Sequence, residues 1–172
     1  MARQKKALKR SDNHVPAEEA GELEEKVAFI NRCSKVVKGG RKFSFSALIL
    51  VGDRAGHVGY GFAKANELTD AIRKGGEAAR KNLIRFETEG TTIPHEVYVE
   101  SDGVRYLLKP AKPGTGIIAG SQVRSVLELA GIKDVVGKSL GCSNPINQVR
   151  AAFKALSQLR SREKTMEMRA AS

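Results

Sequence analysis

A cationic glycine turn leads directly into a long apolar strand, and this junction most constrains how the chain can fold. The turn contains Gly39 and Gly40, which can adopt positive φ and let the backbone come close to a partner. Apolar residues then recur at every second position, which is the period of a β-strand. They are Phe43, Phe45, Ala47, Ile49 and Val51. The pattern predicts a hairpin whose second strand enters the core of a sheet.

Positive charge is concentrated around this turn. Residues 32–42 contain five cations and no acid. These cations are Arg32, Lys35, Lys38, Arg41 and Lys42. Over the 172 residues, 30 Lys and Arg face 19 Asp and Glu, for a formal net charge of +11. A clustered excess of this size favours a polyanionic partner such as nucleic acid, although a basic surface without any partner gives the same composition.

Aromatic side chains are scarce, which bears on how a nucleic acid would be recognised. The chain has no Trp, and aromatic residues make up 5% of it. Placing Phe43, Phe45, Phe62 and Phe153 in a core leaves few rings for stacking on bases. We therefore expect a folded RNA to be recognised through its backbone and shape.

The first half of the chain predicts three antiparallel strands and one helix. The third strand runs through Val58 and Phe62, with Gly59 and Gly61 on its other face, where either a helix or RNA could approach closely. The helix after this strand has an apolar face opposite a cationic face. The cations of that face, which are either solvated or in contact with phosphates, are Arg73, Lys74, Arg80 and Lys81.

The patterns divide the chain into two domains and their flanking segments. We expect a basic flexible arm over 1–20, a first domain over 21–85, a linker over 86–91, a second domain over 92–160 and a charged tail over 161–172. The second domain has the order β-β-α-β-α, which forms an α/β layer. The predicted fold class is therefore α+β with two domains.

The glycine-rich segment over 114–120 precedes a helix and invites comparison with a dinucleotide-binding loop. Its last glycine comes one residue too late, and Asp134 lies at the wrong end of its strand to hold a ribose. No Lys-Ser or Lys-Thr directly follows the last glycine of this segment, as a phosphate-binding loop requires. We favour a tight strand-to-helix crossover, which is also a candidate protein contact, and we predict no enzyme and no cofactor. Spacing alone does not exclude an active site assembled from distant residues.

The cysteines and the hydropathy pattern bear on location. Cys33 and Cys142 follow no metal-ligand spacing, and nothing at the start of the chain resembles a secretory signal, so two reduced thiols are expected. No apolar run approaches the roughly 20 residues that a membrane span needs. We expect a cytosolic protein without a membrane partner or a bound metal.

An ordered series of motifs resembles one family. The match runs from about Gly21 to Gln158, across both predicted domains. In these motifs the chain resembles the bacterial type of the fifth protein of the small ribosomal subunit, the S-five family. The motifs are LEEKV at 23–27, SKVVKGGR at 34–41, GHVGYG at 56–61, GTGIIAG at 114–120 and GCSNPIN at 141–147.

The resemblance implies both fold and function. It implies a double-stranded-RNA-binding-like first domain and a second domain of the type found in this family. It also implies a place in the small subunit, bound to 16S ribosomal RNA beside the proteins S-four and S-eight. The family helps to hold the head of the subunit relative to its body, contributes to accuracy with S-four, and lies near the messenger RNA entry channel. The alternative is a free-standing regulator that binds duplex RNA.

The resemblance and the charge pattern together give the candidate site residues. The family's first hairpin loop corresponds to residues 34–41, and Gly116 and Arg124 match positions at the family's contact with S-four. The candidate RNA-binding residues are Arg32, Ser34, Lys35, Lys38, Gly39, Gly40, Arg41 and Lys42, with Arg73, Lys74, Arg80 and Lys81 in second rank.

Overall fold

The computed structural model describes residues 21–170, which form two four-stranded sheets and four helices. The first sheet has the order β1-β2-β3-β4, and helix α1 precedes its last strand. These elements are β1 (Glu24–Val37), β2 (Gly40–Gly52), β3 (His57–Ala65), α1 (Leu68–Arg80) and β4 (Leu83–Arg85). The predicted arm over 1–20 and the last two residues of the predicted tail lie outside the described residues.

The second sheet has the order β5-β6-β8-β7, and its last pair of strands is parallel. The remaining elements are β5 (Val97–Ser101), β6 (Val104–Pro110), β7 (Ile117–Ile118), α2 (Ser121–Leu129), β8 (Val135–Leu140), α3 (Pro145–Ser157) and α4 (Arg162–Ala170). One antiparallel sheet and one mixed sheet, with four helices, confirm the α+β class at this level.

The β1–β2 hairpin is longer than the rest of its sheet. Its pairing runs from Glu24 opposite Gly52 to Val37 opposite Gly40. Strand β3 pairs with β2 only from Phe45 to Gly52. Beyond Phe45 the hairpin is therefore a two-stranded ribbon that extends roughly 15 Å past the sheet, at about 3.4 Å per residue. We call residues 32–44 the hairpin tip.

From Ser46 onward strand β2 is buried on both faces, which explains why its alternating pattern becomes continuously apolar there. Ala47 and Ile49 pack beneath α1, in a cluster with Ala71 of that helix. Leu48 and Leu50 point to the opposite face and join the larger core of the second domain. The first sheet is thus the middle layer between a helix and a second domain.

Two glycines of β3 allow α1 to lie close to the sheet. A Cβ on Gly59 would lie 2.3 Å from the carbonyl oxygen of Ala79, and one on Gly61 would lie 2.1 Å from that of Gly75. The helix therefore fills the space beside these glycines, and it is the close partner that the sequence left open between a helix and RNA.

The prediction of three strands in the first sheet was wrong, because the sheet has a fourth. Strand β4 pairs with the open edge of β3, with Leu83 opposite Gly59. Leu83 is fully buried there. A strand of three residues is too short to show a periodicity of its own, and its pairing depends on how α1 returns the chain to the sheet.

The β-β-α-β-α order of the second domain was also incomplete. Strand β7 precedes α2 and pairs through Ile117 with Val135 of β8. The predicted charged tail contains helix α4, whose Lys164 forms an ion pair with Glu87. Both additions depend on long-range contacts, which local patterns do not report.

The two domains share one core. The amide of Arg54, between β2 and β3, donates to the carbonyl oxygen of Leu129 at 2.9 Å. The amide of Gly56 donates to the carbonyl oxygen of Ala130 at 3.2 Å. Phe86, at the start of the predicted linker, is only 6% exposed and belongs to the same hydrophobic cluster. Backbone hydrogen bonds and apolar packing therefore fix the domains against each other.

Candidate nucleic-acid interface

The turn of the hairpin tip depends on a glycine conformation and leaves its backbone open. Val37 and Gly40 are the last paired residues, so Lys38 and Gly39 make the turn. Gly39 has a φ of +97°, which side chains rarely adopt. No atom of residues 21–170 lies within 4 Å of a Cβ built on Gly39 or Gly40. The glycines therefore shape the turn without being required for packing against the described part of the chain.

The five cations of the tip repel one another and have no acidic partner among the described residues. Lys35 lies directly opposite Lys42, and Arg41 lies opposite Val36, so positive charge occupies both faces of the ribbon. All five cations are exposed, and among residues 21–170 none of them forms an ion pair. Like charges directly opposite on a sheet are destabilising. A polyanion would relieve this repulsion.

Two cations of helix α1 form ion pairs, unlike those of the hairpin tip. Arg73 pairs with Asp70 at 3.7 Å and with Glu77 at 3.0 Å. Arg80 pairs with Glu25 of β1 at 3.0 Å. Lys74 is exposed, while Lys81 stands at the C-cap. The charges of this face are partly neutralised within the domain, so fewer of them are available to a phosphate backbone.

The structure also separates the two groups of cations in space. The end of α1 that contains Ala79 packs on Gly59, near the point where β2 ends at Gly52. The hairpin tip leaves the sheet at the opposite end, beyond Phe45. Arg80 and Lys81 therefore lie at the far end of the sheet from the tip, and the structure does not bring them into one site with it.

The candidate protein contact lies on the second domain. Gly116 has a φ of +77° and begins the approach to β7, while Arg124 is exposed on α2. The amide of Gly116 donates to the Asp134 carboxylate at 2.9 Å. This bond and a hydrogen bond from the Thr91 side chain hold the pKa of Asp134 below its ordinary value. Asp134 is only 5% exposed, and its carboxylate accepts hydrogen bonds from the amides of Gly116, Gly114 and Thr115, which a bound phosphate would need. This supports a structural crossover and not a nucleotide loop.

Two of the four phenylalanine rings that the sequence placed in a core lie outside it. Phe43 is 44% exposed and Phe62 is 40% exposed. Phe153 is buried as expected, and Phe45 is half-buried. Phe43 lies beyond the end of β3, where no layer covers the ribbon. A cation lies over each of the rings of Phe43 and Phe62. The Arg32 guanidinium is 4.8 Å from the ring centre of Phe43, and the Lys64 ammonium is 5.9 Å from that of Phe62.

Metal-ligating side chains are dispersed over the described part of the chain. Between residues 21 and 170, no group of three or more His, Cys, Asp or Glu side chains is placed to hold a metal ion. Cys33 and Cys142 are free thiols. No helix in this part of the chain is long and apolar enough to cross a membrane.

Comparison with known proteins gives consistent matches along the chain. A family profile for the N-terminal domain of ribosomal protein S5 matches residues 23–87, and one for its C-terminal domain matches residues 99–169. The small ribosomal subunit protein uS5 of Protochlamydia amoebophila is 73% identical over 148 residues, which cover 86% of this chain and 89% of the relative. The protein of the same name from Chlamydia abortus is 71% identical over 149 residues, covering 86% and 90%.

Proposed function

The chain belongs to the ribosomal protein S5 family, and from this premise we propose that it binds small-subunit ribosomal RNA through its hairpin tip. The family is structural and non-enzymatic, which confirms the prediction that the chain is not an enzyme. Relatives that carry the small-subunit name also confirm the expected role as a structural ribosomal protein in the small subunit of the cytoplasmic ribosome. Within that particle, the hairpin tip is the part of the chain that would hold the RNA.

The observation that carries the proposal is the uncompensated charge of the tip. Five exposed cations lie on a ribbon that projects beyond its sheet, and two of them, Lys35 and Lys42, face each other. Folding gains nothing from this arrangement, since opposed like charges cost free energy. Phosphates would supply the missing counter-charges, and the open glycine turn would let the RNA backbone approach Gly39 and Gly40.

Finer parts of the function follow from the family resemblance. We include in the proposal that Gly116 and Arg124 face the neighbouring protein S-four, that S-eight lies close by, and that the chain lies near the messenger RNA entry channel. Through these contacts it would hold the head of the subunit relative to the body and contribute to accuracy. The exposure of Arg124 on α2 and the glycine turn that Asp134 fixes at Gly116 support protein contacts at these two positions.

The test compares two pairs of cations. Lys38→Ala with Arg41→Ala removes two tip cations, and Arg73→Ala with Lys74→Ala is the matched control on α1. Binding of purified small-subunit RNA is measured over a series of salt concentrations. We expect the tip pair to reduce the salt slope by roughly 1.4 to 1.8, since each lost phosphate contact reduces it by about 0.7 to 0.9.

The control pair is expected to change the slope by less than half as much, because Arg73 is already paired with Asp70 and Glu77. If the tip pair left both affinity and slope unchanged, the assignment of the hairpin would fail. Sedimentation checks the wider proposal. A protein that stayed off small subunits at moderate salt would instead be a free RNA-binding regulator.

A further inference from the structure

The hairpin tip exposes an aromatic side chain that its fold does not need. Phe43 lies opposite Ser34, and its diagonal neighbours on the same face are Arg32 and Val36. Val36 is 75% exposed, the largest value among the exposed large hydrophobic residues within 21–170. The tip therefore presents apolar surface in the middle of its cations. Burial cannot explain this ring, because neither α1 nor the second domain reaches this part of the ribbon.

The surroundings of the ring suit an unpaired nucleotide base. The Arg32 guanidinium lies over Phe43 at 4.8 Å from the ring centre. Unpaired RNA bases stack on aromatic rings and on guanidinium planes, and this site offers both. Arg41 shares the face with Phe43, since the two are separated by one residue in β2, and it can hold a phosphate next to a stacked base.

We propose that Phe43, together with Arg32, forms a stacking site for one unpaired base of the RNA whose phosphates the tip binds. The inference rests on the proposed function of the tip and adds a contact that charge alone does not provide. The base is an unpaired one, as in a loop or bulge, because bases within a duplex are already stacked on their neighbours. This modifies the expectation that the protein recognises RNA by backbone and shape only.

A protein partner suits this surface less well than RNA. Arg32 and Arg41 lie on the same face of the ribbon as the ring, and Lys35 and Lys42 lie on the opposite face. The centres of protein interfaces are depleted in charge, and burying these cations against a protein without matching acids would be costly. An RNA chain carries the apolar base and the neutralising phosphates in the same unit.

The test separates stacking from charge with three substitutions. Phe43→Leu keeps an apolar side chain and removes the ring, Phe43→Tyr keeps the ring, and Phe62→Leu is the control. Phe62 is a similarly exposed ring below a cation, but it lies on β3, outside the tip. Binding to purified small-subunit RNA is measured over a salt series, and circular dichroism confirms that each variant is folded.

We expect Phe43→Leu to weaken RNA binding roughly 10-fold, within the range found when one stacking ring is removed, and to leave the salt slope unchanged. Phe43→Tyr and Phe62→Leu should bind within about 2-fold of the unchanged protein. Ultraviolet crosslinking and peptide sequencing should then place a base on the peptide that contains Phe43.

Two results would overturn the stacking site. One is full RNA affinity in Phe43→Leu. If that variant bound RNA fully but were lost from assembled subunits, the partner of Phe43 would be a protein and not a base. The other is an equal loss in Phe62→Leu. Failure of the proposed function looks different, because the Lys38 and Arg41 substitutions would then also leave the salt slope unchanged.

Discussion

The hairpin tip and the rest of the first sheet, which helix α1 covers, use similar residues in opposite ways. We call this rest of the sheet, together with α1, the covered half. In the covered half, Gly59 and Gly61 give space to α1, and the cation Arg80 pairs with Glu25. In the tip, none of the described residues fills the space beside Gly39, and the cations repel one another. The covered half therefore stabilises the fold, whereas the tip keeps glycines and charges available for a partner. Residue type alone does not reveal which role a side chain has.

The contrast also shows why counting charges is a weak argument for binding. Helix α1 with its C-cap residue contributes four cations to the first domain, and the tip contributes five. The i,i+4 pair of Arg73 with Glu77 stabilises the helix by about 0.3–0.5 kcal/mol and neutralises its charge. Because no such acid lies within reach of the tip in residues 21–170, its full charge remains available to phosphates.

The largest expected effect is a loss of stability in Gly61→Ala, which tests the role of the glycines in the covered half. Gly61→Ala would place a Cβ 2.1 Å from the carbonyl oxygen of Gly75 and 2.6 Å from the amide nitrogen of Ala79. Both neighbours are backbone atoms, so α1 must shift, and we expect the free energy of unfolding to fall by about 3 kcal/mol. Chemical denaturation measures this loss.

The matched substitution is Gly39→Ala in the tip. Its Cβ would meet no atom within 4 Å, and only the φ of +97° is strained, which costs about 1 kcal/mol. Its RNA affinity should fall, while Gly61→Ala should bind normally wherever it is folded. Equal losses of stability in the two variants would contradict the division between tip and covered half.

The second prediction concerns pH and the covered half. Burial by itself raises the pKa of Asp53, but hydrogen bonds from the amide of Ala55, the His57 ring and the amide of His57 outweigh it and hold the pKa below 3.8. The ring nitrogen Nδ1 of His57 lies 2.6 Å from the carboxylate. Because the pKa is lower in the folded state, the carboxylate stabilises the protein above its ordinary pKa, and this is lost as pH falls through the folded value.

We therefore expect Asp53→Asn to lower the free energy of unfolding by about 2 kcal/mol at pH 7, and by less at pH 2. Denaturant titrations over this pH range measure both values. Asp70→Asn is the control, since its exposed carboxylate pairs with Arg73 only at 3.7 Å, and it should cost less than about 0.5 kcal/mol. A pH-independent loss in Asp53→Asn would show that the charge of Asp53 has no part in stability.

The smallest expected effect tests the idea that the tip gives up stability for binding. Lys35→Glu places an acid opposite Lys42 and should raise the free energy of unfolding by about 0.5 kcal/mol. The same change should weaken RNA binding and reduce the salt slope. Lys112→Glu, at an exposed position of the second domain, is the control with the same charge change. Should Lys35→Glu bind RNA as well as Lys112→Glu, the tip would have no special role.

Features that depend on neighbours in sequence were predictable. The strands around the glycine turn, the helix after β3 and the cluster of five cations all follow from local periodicity and composition. The pairing of Arg80 with Glu25 was not predictable, because it joins residues that only the folded sheet brings together. For the same reason the sequence did not show that half of the second-rank cations lie far from the tip.

The exposure of Phe43 could not be predicted for a different reason. Alternation correctly places Phe43 and Ile49 on one face of β2, but only Ile49 is covered by α1. How far a helix extends along a strand depends on where the third strand ends, here Ala65 opposite Phe45. A periodic pattern gives the side on which a residue lies, and it does not give the length of the layer that covers that side.

The joint between the domains has a mechanical consequence. Arg54 and Gly56 donate to the carbonyl oxygens of Leu129 and Ala130, and a Cβ on Gly131 would lie 2.1 Å from the carbonyl oxygen of Arg54. These contacts leave little room for a hinge, so we expect the first sheet and the second domain to move as one unit. The chain would then act as a spacer that transmits force between its two anchoring points.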